Sequence, residues 1–223
     1  MKRIYPDQVD KPNLTWLIQE FIHGQQHPES SPHNIPDLPP FYEKITIYTS
    51  VVATFHAPSN LSGIGGMKHK RIHAVNRWQN GPGCYDTLFI NAAIDNEDQD
   101  GESSVHGFLG LEVAQACLFF SFALEGVMYP CALVHWFSHA TDTPSDVTGM
   151  YVVEPEYLPN GQPVIAVVHL NTLFRAAHLL PVYSKHQALS KHQCYEETLD
   201  LFSEFYVNRY INYHAFEVQS PLP

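Results

Sequence analysis

The chain has 223 residues, 44% of them hydrophobic and 13% aromatic, which is enough apolar material for one domain with a sizeable core. Lys and Arg number 12 against 23 Asp and Glu, a formal net charge of −11. That balance disfavours nucleic-acid binding by bulk electrostatics and accommodates a basic protein partner more easily.

No uncharged apolar run of about 18 residues is present, and the N-terminus MKRIYPDQVDKP has no apolar signal-type core. The cysteines Cys84, Cys117, Cys131 and Cys194 form no C-x-x-C. The expectation is an intracellular protein with reduced thiols and no membrane span.

Residues 1–11 carry no periodic pattern. Asn13 is placed to cap a helix whose apolar positions Leu14, Leu17, Ile18 and Phe21 fall on one face, with Gly24 as its stop. The stretch QQHPESSPHNIPDLPP (25–40) is too rich in proline for regular structure, so residues 1–40 read as a helix and a linker.

Residues 41–183 read as a β core. Lys44 to Phe55 alternates as one half-buried strand, and 56–67 is a turn-rich loop. Arg71–Trp78 and Tyr85–Ile90 are strands separated by Gln79–Gly83, and residues 95–110 form an acidic loop. The heart of the core is the hairpin from Leu111 to His139, turning at Glu125-Gly126. Its run Leu118–Phe122 is apolar on both parities. A polar loop, Ala140–Gly149, is followed by strands at Met150–Val153 and Val164–His169. A helical turn from Asn171 to Ala177 and a strand at His178–Tyr183 complete the core.

Residues 184–223 hold a doubled SKHQ tetrapeptide and a predicted helix from about Glu196 to Tyr213, with Leu199, Phe202, Tyr206, Tyr210 and Tyr213 as one stripe. The fold class is mainly β, with a helix at each end.

Few residues carry chemistry. Gly63-Ile64-Gly65-Gly66 lacks the spacing of a phosphate loop. Asn96, Asp98, Asp100 and Gly101 match half a calcium loop, but Gly107 stands where the bidentate Glu belongs. His135 and His139, with Cys131, are a thin zinc set, because on a strand residues four apart are separated by about 13 Å. His186, His192 and Cys194 lack the usual cysteine anchor. Cys84, after a glycine turn, is the most exposed thiol, whereas Cys117 and Cys131 sit in apolar strands. No catalytic constellation, metal set or cofactor is therefore expected.

Two groups remain. Trp136, Asp142 and Tyr151 surround one loop and could hold a methylated ammonium by cation–π attraction. The packing alternative has Trp136 plugging the core while Asp142 caps a turn. Lys68, Lys70, Arg71 and Arg77, with His69 and His73, form a basic patch suited to nucleic acid.

The blocks APSNLSGIGGM (57–67), RIHAVNRWQNGPGCYDTLFI (71–90), LFFSFALEGVMYPCALVHWFS (118–138), DTPSDVTGMYVVEP (142–155), VVHLNTLFRAAHLLPVY (167–183) and LDLFSEFYVNRYINYHAFE (199–217) resemble, in order, the C-terminal region of fungal Plavaka-type transposases, relatives of the CACTA group. The Mg²⁺-dependent nuclease domain of that family lies upstream, and no alternating βαβ pattern is present here to build one. The resemblance implies a non-catalytic, transposase-derived tail in a nuclear setting.

LVHWFSHATDTP (133–144) and HLNTLFRAAHLLPVY (169–183) are similar to bromo-adjacent homology (BAH) domains, β-barrel modules of chromatin proteins. That resemblance implies a barrel whose methyl-lysine cage would use Trp136, Asp142 and Tyr151. The strand opening Leu111-Glu112-Val113 lacks the tyrosine such cages carry.

The leading expectation is a non-catalytic protein-interaction module, possible partners being basic or methylated histone tails. A DNA-binding accessory domain and a metal-dependent His/Cys enzyme are the alternatives.

Overall fold

In the computed structural model the structure describes residues 2–27, 38, 40–57, 64–91, 110–183 and 198–219. Most of the proline-rich linker, the acidic loop with its half calcium motif, and the doubled SKHQ with His186, His192 and Cys194 lie outside these residues.

The protein is mainly β, with antiparallel sheets and peripheral helices. The hairpin forms as expected: β7 (Leu111–Leu124) and β8 (Val127–His139) pair along their whole length. Both turn residues have positive φ, Glu125 at 51° and Gly126 at 83°, as a tight type I′ turn requires. A bulge at Cys117 shifts the register between Ala116 and Leu118.

Residues apolar on both parities need cover on both faces, and the hairpin has it. Leu118, Phe120, Phe122, Cys131 and Leu133 pack under helix α1 (Leu14–Gln26), whose buried positions are Leu14, Leu17, Ile18 and Ile22. Ala114, Ala116, Phe119, Ala132 and Val134 pack against Ala53, Ile72 and Ala74 of a second sheet. The result is three layers: helix, large sheet, small sheet.

The large sheet runs β1 (Lys2–Ile4), β2 (Ile45–Tyr48), β7, β8, β9 (Val152–Pro155), β13 (Phe205–Val207), β12 (Leu179–Pro181). β6 (Thr87–Asn91) and β10 (Ile165–His169) pair with β7 and β8, and β11 (Leu173–Ala176) pairs with β6. This path does not close on itself among the described residues. The small sheet is β3 (Ser50–His56), β4 (Met67–Val75) and β5 (Cys84–Tyr85).

Several expectations are corrected. Residues 2–4 are a strand, not irregular. Asn13 precedes α1 in a left-handed conformation with no side-chain cap, and the helix runs through Gly24 to Gln26. The single strand expected over 44–55 breaks at Thr49, passing from β2 in the large sheet to β3 in the small one. The strand expected over 85–90 likewise changes sheet at Asp86, whose N–H donates to the His73 carbonyl (3.0 Å) and whose carbonyl accepts from Ala116 N–H (3.0 Å). Such corners let one chain edge serve two sheets.

The helical turn expected over 171–177 is a 3₁₀ turn at Leu170–Thr172, where the His169 ring accepts from Asn171 N–H. It is followed by β11. The long C-terminal helix is overturned as well. Only Thr198–Leu201 (α2) and Tyr213–Val218 (α3) are helical, and Phe205–Val207 pairs with both β9 and β12. Strand pairing of an aromatic and β-branched run outweighs its helical spacing. Phe202, Phe205 and Val207 are still core, while Tyr210 and Tyr213 are exposed.

Candidate functional site

An open cavity of about 720 Å³ lies where β4, the Asp86 corner, β11 and the C-terminal segment meet, and its lining includes Lys68, Lys70, Asp86, Arg175, His178 and His214. Alternation along β4 turns Ile72 and Ala74 into the core, and puts Lys68 and Lys70 on the same parity nearer the strand's start. β11 brings in Arg175, whose 5% exposure makes it the most buried cation described.

Arg175 is held entirely by neutral groups among the described residues. Its guanidinium donates to the Ala176 carbonyl (3.3 Å), to Asn212 Oδ1 (3.4 Å from each terminal nitrogen) and to His214 Nδ1 (2.7 Å). It also stands over the Phe55 ring at 5.1 Å, and His214 stacks on the same ring at 4.9 Å. Accepting from arginine leaves His214 as the neutral tautomer with its proton on Nε2. Burial first, then the Arg175 charge, pushes the His214 pKa below the ordinary imidazole value; Glu217 opposes this and His56 adds to it. Burial, then Lys70, lowers His178. Burial lowers Arg175 too, though arginine remains a cation near neutrality.

Buried charges are ordinarily paired with an opposite charge. Here the lone carboxylate in the described lining, Asp86, is already committed. Its Oδ2 accepts from the His73 backbone N–H (2.8 Å) and pairs with His73 Nδ1 (3.0 Å). The cavity is therefore a net cationic recess, with a cation at its floor and two lysines in its wall. An anionic group fits it in charge, and the space is ample for the larger molecule that would carry that group.

The expected basic patch is divided. Lys68 and Lys70 line the cavity. Arg71 lies on the opposite face of β4, donating to Ser50 Oγ at 3.0 Å, and Arg77 is exposed beyond the strand's end.

The aromatic set is not brought together. Trp136 packs with the cluster of Ala132 and Val134, whereas Tyr151 packs with that of Phe137, on the other face of β8, its ring edge-on to His139 at 5.8 Å. Asp142 is exposed in the 140–149 loop.

His135 and His139 do not converge on Cys131. His135 Nε2 donates to the Glu156 carbonyl (2.9 Å), and burial pushes the Cys131 thiol up to about 12. Cys84 is partly exposed, but burial and the neighbouring Asp86 raise its pKa, the reverse of what an activated thiolate needs.

Sequence reasoning passed over Arg175, although one signal was available: it is the single formally charged residue between Glu156 and Lys185. It also missed the convergence of His73, Cys84 and Asp86, because His73 joins the pair only through strand register. No helix among the described residues is long and apolar enough to cross a membrane. No family model, curated protein or solved structure matches the chain.

Proposed function

We propose that this chain is a non-catalytic, transposase-derived interaction module on a BAH-like β scaffold, and that its partner inserts an anionic group, a carboxylate or phosphate, into the cavity over Arg175. One observation carries the reading: a buried guanidinium, with no carboxylate partner among the described residues, lines an open recess beside Lys68 and Lys70. The transposase and BAH parts rest on the sequence blocks alone. A basic histone tail is disfavoured at this cavity by like charge, and a methyl-lysine cage is disfavoured because Trp136 and Tyr151 pack in clusters on opposite faces of β8.

Duplex DNA is the second reading, favoured by Lys68 and Lys70 in the same wall. Titrating the full chain at low salt with an acidic peptide, its phosphorylated counterpart and duplex DNA separates the sources. Arg175→Met should weaken the preferred probe by about tenfold or more while Arg71→Ala leaves it unchanged. Absence of binding by all three probes, or equal binding by a folded Arg175→Met protein, would overturn the reading.

A further inference from the structure

We propose that His73, Cys84 and Asp86 form a binding site for a thiophilic divalent cation, Zn²⁺. The three side chains share one face of the β4–β5 ribbon. Register pairs Val75 with Cys84 and Ala74 with Tyr85, which sets His73 opposite Asp86, and strand alternation turns residues 73, 84 and 86 the same way.

One ligand atom from each lies within 4.8 Å of the other two. His73 Nδ1 is 3.0 Å from Asp86 Oδ2, and Cys84 Sγ is 3.7 Å from Asp86 Oδ1. Tetrahedral zinc with bonds of about 2.0–2.3 Å separates its ligand atoms by about 3.3–3.8 Å. The two contacts to the carboxylate are close to those separations, one on each of its oxygens, and the third side of the triangle, His73 to Cys84, is under 4.8 Å, so side-chain rotation within the triad brings all three onto one ion.

Charge and surroundings agree with the geometry. One thiolate, one carboxylate and a neutral imidazole balance a dication. The His73 backbone N–H, 2.8 Å from Asp86 Oδ2, fixes the carboxylate from behind. The Trp78 ring packs on the imidazole at 4.3 Å, and a space of about 390 Å³ beside Cys84 leaves room for water as the fourth ligand.

His73 Nε2 is buried with no hydrogen-bond partner. Metal on Nδ1 would place the imidazole proton on that nitrogen, fixing the tautomer. Binding releases the Cys84 proton to solvent and moves the imidazole proton from Nδ1 to Nε2. No electron changes hands.

The test is Co²⁺ titration of the metal-free full chain, followed by competition with Zn²⁺. One equivalent should bind with a thiolate-to-cobalt charge-transfer band and tetrahedral visible bands, and Zn²⁺ should abolish both. Cys84→Ser should remove the charge-transfer band, and His73→Gln and Asp86→Asn should each weaken Zn²⁺ affinity by about tenfold or more. Cys194→Ser and Cys117→Ser should leave the spectrum unchanged. A spectrum without the charge-transfer band, or one that persists in Cys84→Ser, overturns the proposal. Circular dichroism of each variant distinguishes lost ligation from lost fold.

Discussion

Arg175 is 5% exposed, yet its described partners are a carbonyl, an amide oxygen, an imidazole and a phenyl face. Neutral acceptors offset only part of the cost of removing a guanidinium from water, and a missing counter-charge leaves the rest. Replacing a buried ionic group together with its charged partner is often neutral or stabilising, and here the partners left behind carry no charge, so no uncompensated ion remains. Arg175→Met is accordingly expected to keep or raise the unfolding midpoint, measured by thermal melting, while it loses the anionic ligand. A drop of several kcal/mol would instead make Arg175 a structural keystone, since breaking a fully compensated buried network costs about 3–5 kcal/mol.

Thiol chemistry supplies a second expectation at this scale. Cys131 is fully buried and its pKa is pushed up to about 12 by burial, whereas Cys84 is partly exposed. In metal-free native protein, a thiol reagent followed by peptide mapping should label Cys84 well before Cys131. Cys131 should react only in denaturant. Equal rates would contradict the burial described for β8.

The β7–β8 hairpin is the element most legible in the sequence, because its turn and its double-parity apolar run are both local signals. Gly126 sits at φ +83 with nothing within 4 Å of where a Cβ would stand. Gly126→Ala therefore tests backbone conformation without a clash. Its expected cost is about 1–2 kcal/mol by urea denaturation. Phe119 and Phe120 are 0% and 1% exposed on opposite faces, so Phe119→Ala should loosen the contact with the small sheet and Phe120→Ala that with α1. Each is expected to cost about 3–5 kcal/mol.

Elements defined by partners were less legible. Residues 44–55 alternate as one strand apart from Thr49, a single polar residue on the apolar face, and that alone does not say that the strand leaves one sheet for another there. Asp86 is the same case, and its carboxylate meets His73 only through the register of β4 and β5. Residues 205–207 read as part of a helix because Tyr206 and Tyr210 keep helical spacing. Their strand character exists only beside β9 and β12. The cationic cavity was illegible for a related reason: Lys70, Arg175 and His214 are far apart in sequence and meet only through the sheet order.

At the scale of the whole molecule, the histidines set how stability responds to pH. His169, His178 and His214 all have pKa values below the ordinary 6.5, each with burial as the largest cause. Between the folded and unfolded pKa values the unfolded chain binds more protons than the folded one. Stability therefore rises with pH through that window and is lost as pH falls below 6.5. Glu20 and Glu112 act in the opposite sense. Burial raises both above 4.5, with Glu156 adding to Glu112, so the folded form holds their protons more tightly and gains stability as they titrate on acidification. The histidine effect should dominate where imidazoles titrate and the carboxylate effect nearer their own range. Urea midpoints are expected to fall from about pH 7.5 to about pH 5.5 with unchanged denaturant slope. His214→Gln should shrink that fall, because it removes the imidazole that shares Phe55 with Arg175. A midpoint that rises over this interval would invert the proton balance described. Anion binding should move the other way: each imidazole protonated at the cavity adds positive charge, so affinity for an anionic probe should tighten while the fold weakens. Opposite trends in one pH series distinguish a cavity that recognises charge from one that only tolerates it.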